Sequence, residues 1–253
     1  MIVIKFGGHA MKAESSSPWL EEIAQRWKSG ERFVIVHGGG PQIDAELKAK
    51  AITSEFKDGY RITSPEVMSV VEMVLTGSVL RAVVRAVESA GLRPVGISGG
   101  DGGLLHVREK ANGAYGLVGE VSSVDPSIVQ TLIDGGFVPV ISPVAHDQYG
   151  RALNVNADIA AGAIAGAIHA REMLFLTDVA GIYANWPDKD SLIEEISASE
   201  LEAMNFTAGM VPKVEAAINA IRSGARSARI IDGTSHQAFV DALSGRGGTW
   251  VNP

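Results

Sequence analysis

Lys5 lies in an apolar run that ends in two glycines, Ile2-Val3-Ile4-Lys5-Phe6-Gly7-Gly8, and a second run ends in three, Phe33-Val34-Ile35-Val36-His37-Gly38-Gly39-Gly40. Each reads as a buried strand opening into a loop. Glycine has no Cβ, so such a loop admits positive φ and lets backbone N–H groups close on a phosphate or carboxylate, as they do at helix starts. One such turn occurs in many α/β proteins that bind nothing there. Two of them with a lysine favour an anionic ligand.

Other polar groups fall near the ends of expected strands. Asn154-Val155-Asn156-Ala157-Asp158 puts three polar side chains on one face of an extended stretch, just before an Ala/Gly-rich helix. The plain alternative is that Asp158 only caps that helix, but a cap needs one such residue, not three. Lys213 follows Pro212 in the first turn of a helix, where the macrodipole disfavours a cation by roughly 0.3 to 1 kcal/mol. An anionic neighbour should compensate, unless the lysine simply faces water. Leu176-Thr177-Asp178-Val179-Ala180-Gly181-Ile182 is a strand running into an Asp-x-x-Gly turn, at the carboxyl edge where open α/β sheets take ligands. A purely structural turn has the same pattern. Arg61, in Gly59-Tyr60-Arg61-Ile62-Thr63, is either an exposed arginine or a fork for a carboxylate.

Several chemistries are excluded. There is no G-x-x-x-x-G-K-[ST] loop, no protein-kinase set, no G-x-G-x-x-G with an acid about 20 residues on, and no G-x-S-x-G elbow. The six histidines, at positions 9, 37, 106, 146, 169 and 236, show no metal-ligand spacing and read as packed or solvent-facing. The chain has no cysteine, which removes disulfides, thiolate metal sites and a cysteine nucleophile. A net charge of −7, without clusters of Lys and Arg, argues against nucleic acid. The longest charge-free stretches fall short of the ~20 residues of a membrane span, and the N-terminus lacks the basic region of a signal peptide. A cytoplasmic protein with no metal site of its own is expected.

These groups need a scaffold, and the 253 residues, 46% of them hydrophobic, suffice for a large α/β core. Short β-branched runs at Ile2–Phe6, Phe33–His37, Pro94–Ser98, Val138–Ser142, Met173–Thr177 and Ala228–Ile231 alternate with helical patterns. The helices are placed at Pro18–Ser29, Pro41–Lys50, Pro65–Ala90 with a break at Gly77, Asp125–Asp134, Asp158–His169, Ala198–Met204, Pro212–Ser223 and Ser235–Leu243. The alternation predicts a three-layer sandwich around a largely parallel open sheet. Leu104–Val121, with Ala111-Asn112-Gly113 inside it, reads as an inserted hairpin. The polar stretch Ala145–Arg151 is the softest boundary, dividing lobe 1–150 from lobe 151–253.

Together these segments resemble the amino acid kinase family. The motifs Lys5-Phe6-Gly7-Gly8 with Ala10-Met11, His37-Gly38-Gly39-Gly40-Pro41-Gln42-Ile43 and Gly59-Tyr60-Arg61-Ile62-Thr63 follow its pattern. So do Ser98-Gly99-Gly100-Asp101-Gly102-Gly103, Asn154 to Asp158, Leu176 to Ile182 and Gly209-Met210-Val211-Pro212-Lys213-Val214. The resemblance runs the length of the chain and implies a carbamate kinase-like fold. It is strongest to the branch that moves the γ-phosphoryl of ATP onto the side-chain carboxylate of N-acetyl-L-glutamate in arginine biosynthesis. By resemblance, Lys5 and Lys213 flank the transferring phosphoryl, Asp158 orients both, and Gly8 and Gly39 donate N–H groups to it. Arg61 and Asn154, with Gly39 and Gly40, would hold the acceptor. The nucleotide would lie near Thr177, Asp178, Gly181, Ile182, Tyr183 and Gly209, with Mg2+ carried on its phosphates. The N-terminal lobe would bind the acceptor and form the dimer, and the C-terminal lobe would bind ATP.

The chain departs from the family pattern at Leu80-Arg81 and His9, which touches substrate detail and the dimer contact more than the chemistry. Two rivals stand beside this reading: a kinase for aminoadipate or glutamate borne on an amino-group carrier protein, and a non-catalytic metabolite sensor of the same fold. Retention of Lys5, Asp158 and Lys213 counts against the sensor, and the intact His37–Ile43 motif counts against the carrier-dependent branch. A dinucleotide-dependent oxidoreductase lacks its fingerprint. The apolar-rich stretch Pro65–Ala90 points to a homodimer. Arginine-inhibited relatives resemble one another in carrying a helix before the first strand. Because the first strand here starts at Met1, insensitivity to L-arginine is expected. Docking of a nitrogen-signalling protein is left open by the sequence.

Overall fold

The computed structural model describes residues 1–7, 18–206 and 210–253. The first part of the chain runs β1 (Ile2–Phe6), α1 (Pro18–Lys28), β2 (Phe33–His37), α2 (Gly40–Ala49), β3 (Phe56–Lys57), β4 (Tyr60–Arg61), α3 (Pro65–Glu72), α4 (Leu80–Ser89) and β5 (Pro94–Ser98). Next come β6 (Leu105–Glu109), β7 (Val118–Val124), α5 (Ser127–Asp134), β8 (Val138–Ser142), β9 (Val144–His146), β10 (Ala152–Val155) and α6 (Ala157–Ala167). The chain closes with β11 (Glu172–Thr177), β12 (Ile182–Tyr183), β13 (Leu192–Ile193), β14 (Glu195–Ser197), α7 (Ala198–Ala203), α8 (Val211–Arg222), β15 (Ala228–Asp232), α9 (His236–Leu243) and β16 (Thr249–Asn252).

Eight strands form one sheet in the order β14-β16-β15-β11-β1-β2-β8-β5. All pairs are parallel except β15 with β16. Strands β1, β2 and β8 are buried throughout, as unbroken apolar runs covered on both faces must be. Alternation sends Val3, Val34, Val36 and Ile141 into the core under α5, α6 and α8. Ile2, Ile4, Phe6, Phe33, Ile35, Val138 and Val140 face the core under α1, α3, α4 and α9. These are the three expected layers. The inserted hairpin is β6 and β7, antiparallel, with Ala111 and Asn112 at positive φ in its turn. The polar stretch Ala145–Arg151 takes in the end of β9 and the turn that leads into β10.

The expected break at Gly77 is not there. Residues Met73–Val79 form a π-helical segment joining α3 to α4. A wider turn absorbs the irregularity that a break would otherwise take up. Thr76 Oγ1 donates to Glu72 O (2.7 Å) and Ser78 Oγ to Val74 O (3.1 Å), which partners carbonyls of that turn. The joined helix, Pro65–Ser89, is long and apolar enough to cross a membrane by length and composition, but half of that window is buried inside the molecule. Asp158 is also not the cap of α6. Asn156 is, its Oδ1 accepting from Asp158 N–H (2.8 Å) and Ile159 N–H (3.3 Å).

Candidate active site

Lys5 alternates with Val3 to the α6 side of the sheet and meets a carboxylate there. Its Nζ is 2.7 Å from Asp158 Oδ1, with the two side chains 11% and 13% exposed. Relieved of capping by Asn156, Asp158 stands in the first turn of α6, where the helix dipole favours an anion. The glycine loop after β2 closes on the same place. Gly38 N–H donates to Phe6 O at 2.8 Å, tying the loop to β1. Gly39 has an extended φ of 176°, so its backbone does not demand glycine. A Cβ there would come 2.6 Å from Leu75 Cδ2 and 3.3 Å from Val79 Cγ2, so the Leu75 side chain would have to shift. Gly40 begins α2, and N–H groups of a first helical turn attract anions.

Arg61 and Asn154 face this cluster from β4 and β10. Arg61 is 7% exposed, its Nη2 is 2.7 Å from Asp44 Oδ1, and its guanidinium lies over the Phe56 ring at 4.5 Å. Thr63 links the two residues, its Oγ1 donating to Arg61 O (2.8 Å) and accepting from Asn154 Nδ2 (3.1 Å). That leaves the Asn154 carbonyl oxygen as an acceptor. Lys5, Gly39, Gly40, Arg61, Asn154 and Asp158 all line one cavity of about 220 Å³, with Phe56 and Tyr60 on its wall.

A second cavity, about 280 Å³, is lined by Asp178, Tyr183 and Lys213 together with Trp186, Phe206 and Met210. Lys213 Nζ is 4.0 Å from Asp178 Oδ1, the anionic neighbour its place in the first turn of α8 called for. The Tyr183 and Trp186 rings meet edge to face at 5.2 Å and line this cavity together with its charged pair. Thr177, Gly181 and Ile182 are not among its lining residues. Ile182 is fully buried, and a Cβ on Gly181 would come 2.5 Å from Thr249 Oγ1. Lys5 and Lys213 thus line different cavities. Gly8 and Gly209 lie outside the described residues, as does His9. Among the described residues no three His, Cys, Asp or Glu gather as a metal site.

Sequence reasoning passed over Asp44, Phe56, Thr63, Trp186 and Phe206. Thr63 belongs to the same short motif as Arg61, which was the available signal. Asp44 comes from α2, and Phe56, Trp186 and Phe206 from a short edge strand and loops whose placement depends on the fold.

His37 is fully buried at the end of β2, and burial lowers its pKa from 6.5 to about 4. The unfolded chain takes up this proton near 6.5 and the folded chain only near 4, so the folded state is disfavoured as pH falls through that window. Stability is expected to drop by about 3 kcal/mol from this residue between the two values. Urea unfolding at pH 7, 5.5 and 4.5 checks it. His37→Asn should lose less over the same range.

Comparison with known proteins extends the geometry to relatives. Acetylglutamate kinase of Beutenbergia cavernae is 45% identical over 266 residues, covering 100% of this chain and 85% of that protein. Acetylglutamate kinase of Corynebacterium glutamicum is 41% identical, covering 100% of this chain and 90% of its own length. Among solved structures, smu.665 of Streptococcus mutans superposes with a TM-score of 0.84 at 25% identity, over 99% of this chain and 98% of that one. Carbamate kinase of Giardia lamblia bound to AMP-PNP, at 21% identity and TM-score 0.73 over 99% and 97%, shares the fold. The sequence profile of the amino acid kinase family matches residues 1–232, which takes in both cavities, and this chain belongs to that family.

Proposed function

We propose that this protein transfers the γ-phosphoryl group of ATP to the side-chain carboxylate of N-acetyl-L-glutamate, giving N-acetyl-L-glutamyl 5-phosphate in arginine biosynthesis. The observation that carries the reading is a single cavity in which a lysine–carboxylate pair, a glycine loop, Arg61 and Asn154 converge, in a chain 41% to 45% identical to acetylglutamate kinases. A carboxylate acceptor is ionised at neutral pH and needs no general base. The work left to the protein is to align two anions and absorb charge on the transferring group, by position, cations and N–H groups.

In this assignment Lys5 and Lys213 neutralise the phosphoryl from the acceptor and nucleotide sides. Asp158 fixes Lys5, and the N–H of Gly39, with that of Gly8, binds phosphoryl oxygens. Arg61 takes an acceptor carboxylate, with Phe56 and Asp44 holding its fork in plane, and Asn154 takes the acetamido N–H through its free carbonyl. ATP enters the second cavity with its base toward Tyr183 and Trp186, and Mg2+ travels on its phosphates. Residues 1–150 would form the acceptor lobe and 151–253 the nucleotide lobe, in a cytoplasmic homodimer joined along Pro65–Ser89, where Met73 is 49% exposed. Light scattering that gives a monomer mass removes the dimer.

The test is hydroxylamine trapping of acyl phosphate with ATP, magnesium and a panel of acceptors. Acetylglutamate should outperform glutamate, whose α-ammonium would be buried without its partner. No product from free acetylglutamate, and product only when a carrier protein is supplied, would replace this reading with the carrier-dependent one. Arg61→Lys loses the planar fork, so the KM for acetylglutamate should rise by about tenfold or more while that for ATP stays near its wild-type value. A collapse of ATP affinity instead would show that the lobes are assigned the wrong way round.

A further inference from the structure

The proposed chemistry makes no use of His37, yet its imidazole is poorly suited to mere packing. Nδ1 is 3.0 Å from Gly38 O. A carbonyl only accepts, so Nδ1 carries the proton and Nε2 is the bare acceptor. Nε2 is buried without a partner, and so is Ser142 Oγ. Strands β2 and β8 pair Val36 with Ile141, which puts His37 and Ser142 one step further along, on the face of the long helix. Leaving a polar atom buried without a partner is costly. An apolar side chain would fill the place with less loss. What histidine supplies is the bond to Gly38.

That bond has a directional consequence. A trans peptide points its C=O and N–H in opposite directions. Drawing the Gly38 carbonyl back to the imidazole turns the N–H of Gly39 away from it, while Gly38, Gly39 and Gly40 line the acceptor cavity. The remaining polar groups of the two residues are anchored: Gly38 N–H on Phe6 O at 2.8 Å, and Gly39 O on Ile43 N–H at 2.9 Å. Leu75 blocks the space beside Gly39.

We propose that His37 is a positioning residue: its Nδ1–H holds the Gly38–Gly39 peptide so that the Gly39 N–H donates to the oxygen on which charge grows during phosphoryl transfer. The inference rests on the acetylglutamate kinase reading. An interaction that strengthens in the transition state is read in kcat, while ground-state binding of either substrate changes little. A structural role would instead lower the folded fraction and leave kcat per folded molecule unchanged.

The experiment compares His37→Asn, whose amide N–H falls near the place of Nδ1–H, with His37→Gln, whose amide reaches past it, and with His37→Leu. Folding is checked by circular dichroism and thermal denaturation. Gln and Leu should lose about 100-fold in kcat with both KM values within about threefold of wild type, and Asn should keep kcat within about fivefold. Asn and Gln, both polar, keep the comparison open if Leu does not fold. Wild-type turnover in Gln, or equal losses in Asn and Gln, overturns the proposal. Calorimetry with magnesium, ADP and aluminium fluoride, a mimic of the transferring group, reads the same loop whatever the acceptor. Tight binding by wild type and Asn and weak binding by Gln supports His37 even if acetylglutamate is not the substrate. Absence of acyl phosphate from wild type strikes only the functional reading, and equal binding of the mimic by all variants strikes only this one.

Discussion

Lys5→Ala is expected to lower kcat by about 100-fold or more, the loss usual for one donor aimed at developing charge. Lys5 lies on a central strand with its neighbours fixed on both sides, so its ammonium reaches the cavity from a rigid support. Truncation also leaves Asp158 without the cation 2.7 Å away, and removing one member of a largely buried pair destabilises proteins by about 3 to 5 kcal/mol. Unfolding must therefore be measured alongside turnover, and Lys5→Met, which keeps the stem, separates lost charge from lost packing. Lys213→Ala should cost a similar factor, since its cation is held against the dipole of its own helix. Near-normal turnover in either folded variant removes that lysine from the mechanism.

Asp158→Asn is expected to have the next largest effect, on the order of 100-fold in kcat, although Asp158 is not proposed to touch the transferring group. The substitution keeps size and a hydrogen-bonding oxygen but leaves the Lys5 ammonium without its counter-charge, free to swing toward phosphate oxygens in the ground state. A cycle with Lys5→Ala tests this. If Asp158 acts through Lys5, the double variant is no slower than the slower single one, because residues that act as a unit do not contribute additively. Losses that multiply would show Asp158 acting on the reaction by a separate route.

Much of this arrangement was legible in the sequence because it rests on local rules. Buried parallel strands read as unbroken apolar runs, which is why β1, β2, β8 and β11 were placed within a residue, and the glycines after β1 and β2 marked the loops. What escaped depended on packing. Gly77 looked like a break because glycine weakens a helix, and only the packed helix shows a π turn supported by Thr76 and Ser78. The sequence put Asp158 on a polar face with Asn154 and Asn156 without saying which residue caps the helix, since Asn and Asp cap equally well on paper; the bonds Asn156 Oδ1 accepts decide it. The partnership of Arg61 with Asp44 joins β4 to α2, and no spacing in the chain announces it. The resemblance grouped Thr177, Gly181 and Ile182 with Asp178, and of that turn Asp178 and Val179 line the cavity.

The position of β1 in the sheet also bears on how the chain must be made. On one side β1 pairs with β2, and on the other with β11, residue for residue from Ile2 with Glu172 to Phe6 with Leu176. During synthesis the β1-β2-β8-β5 half is complete once Ser142 has emerged, but the other edge of β1 stays bare until β11 follows. A bare, flat, apolar edge recruits other strands, in the nascent chain or in a neighbouring molecule. A fragment ending at Arg151 would carry that edge permanently and should aggregate, while coexpression with the complementary half should recover soluble protein. The seam that joins the two halves of the sheet is therefore also where the unfinished chain most needs a chaperone.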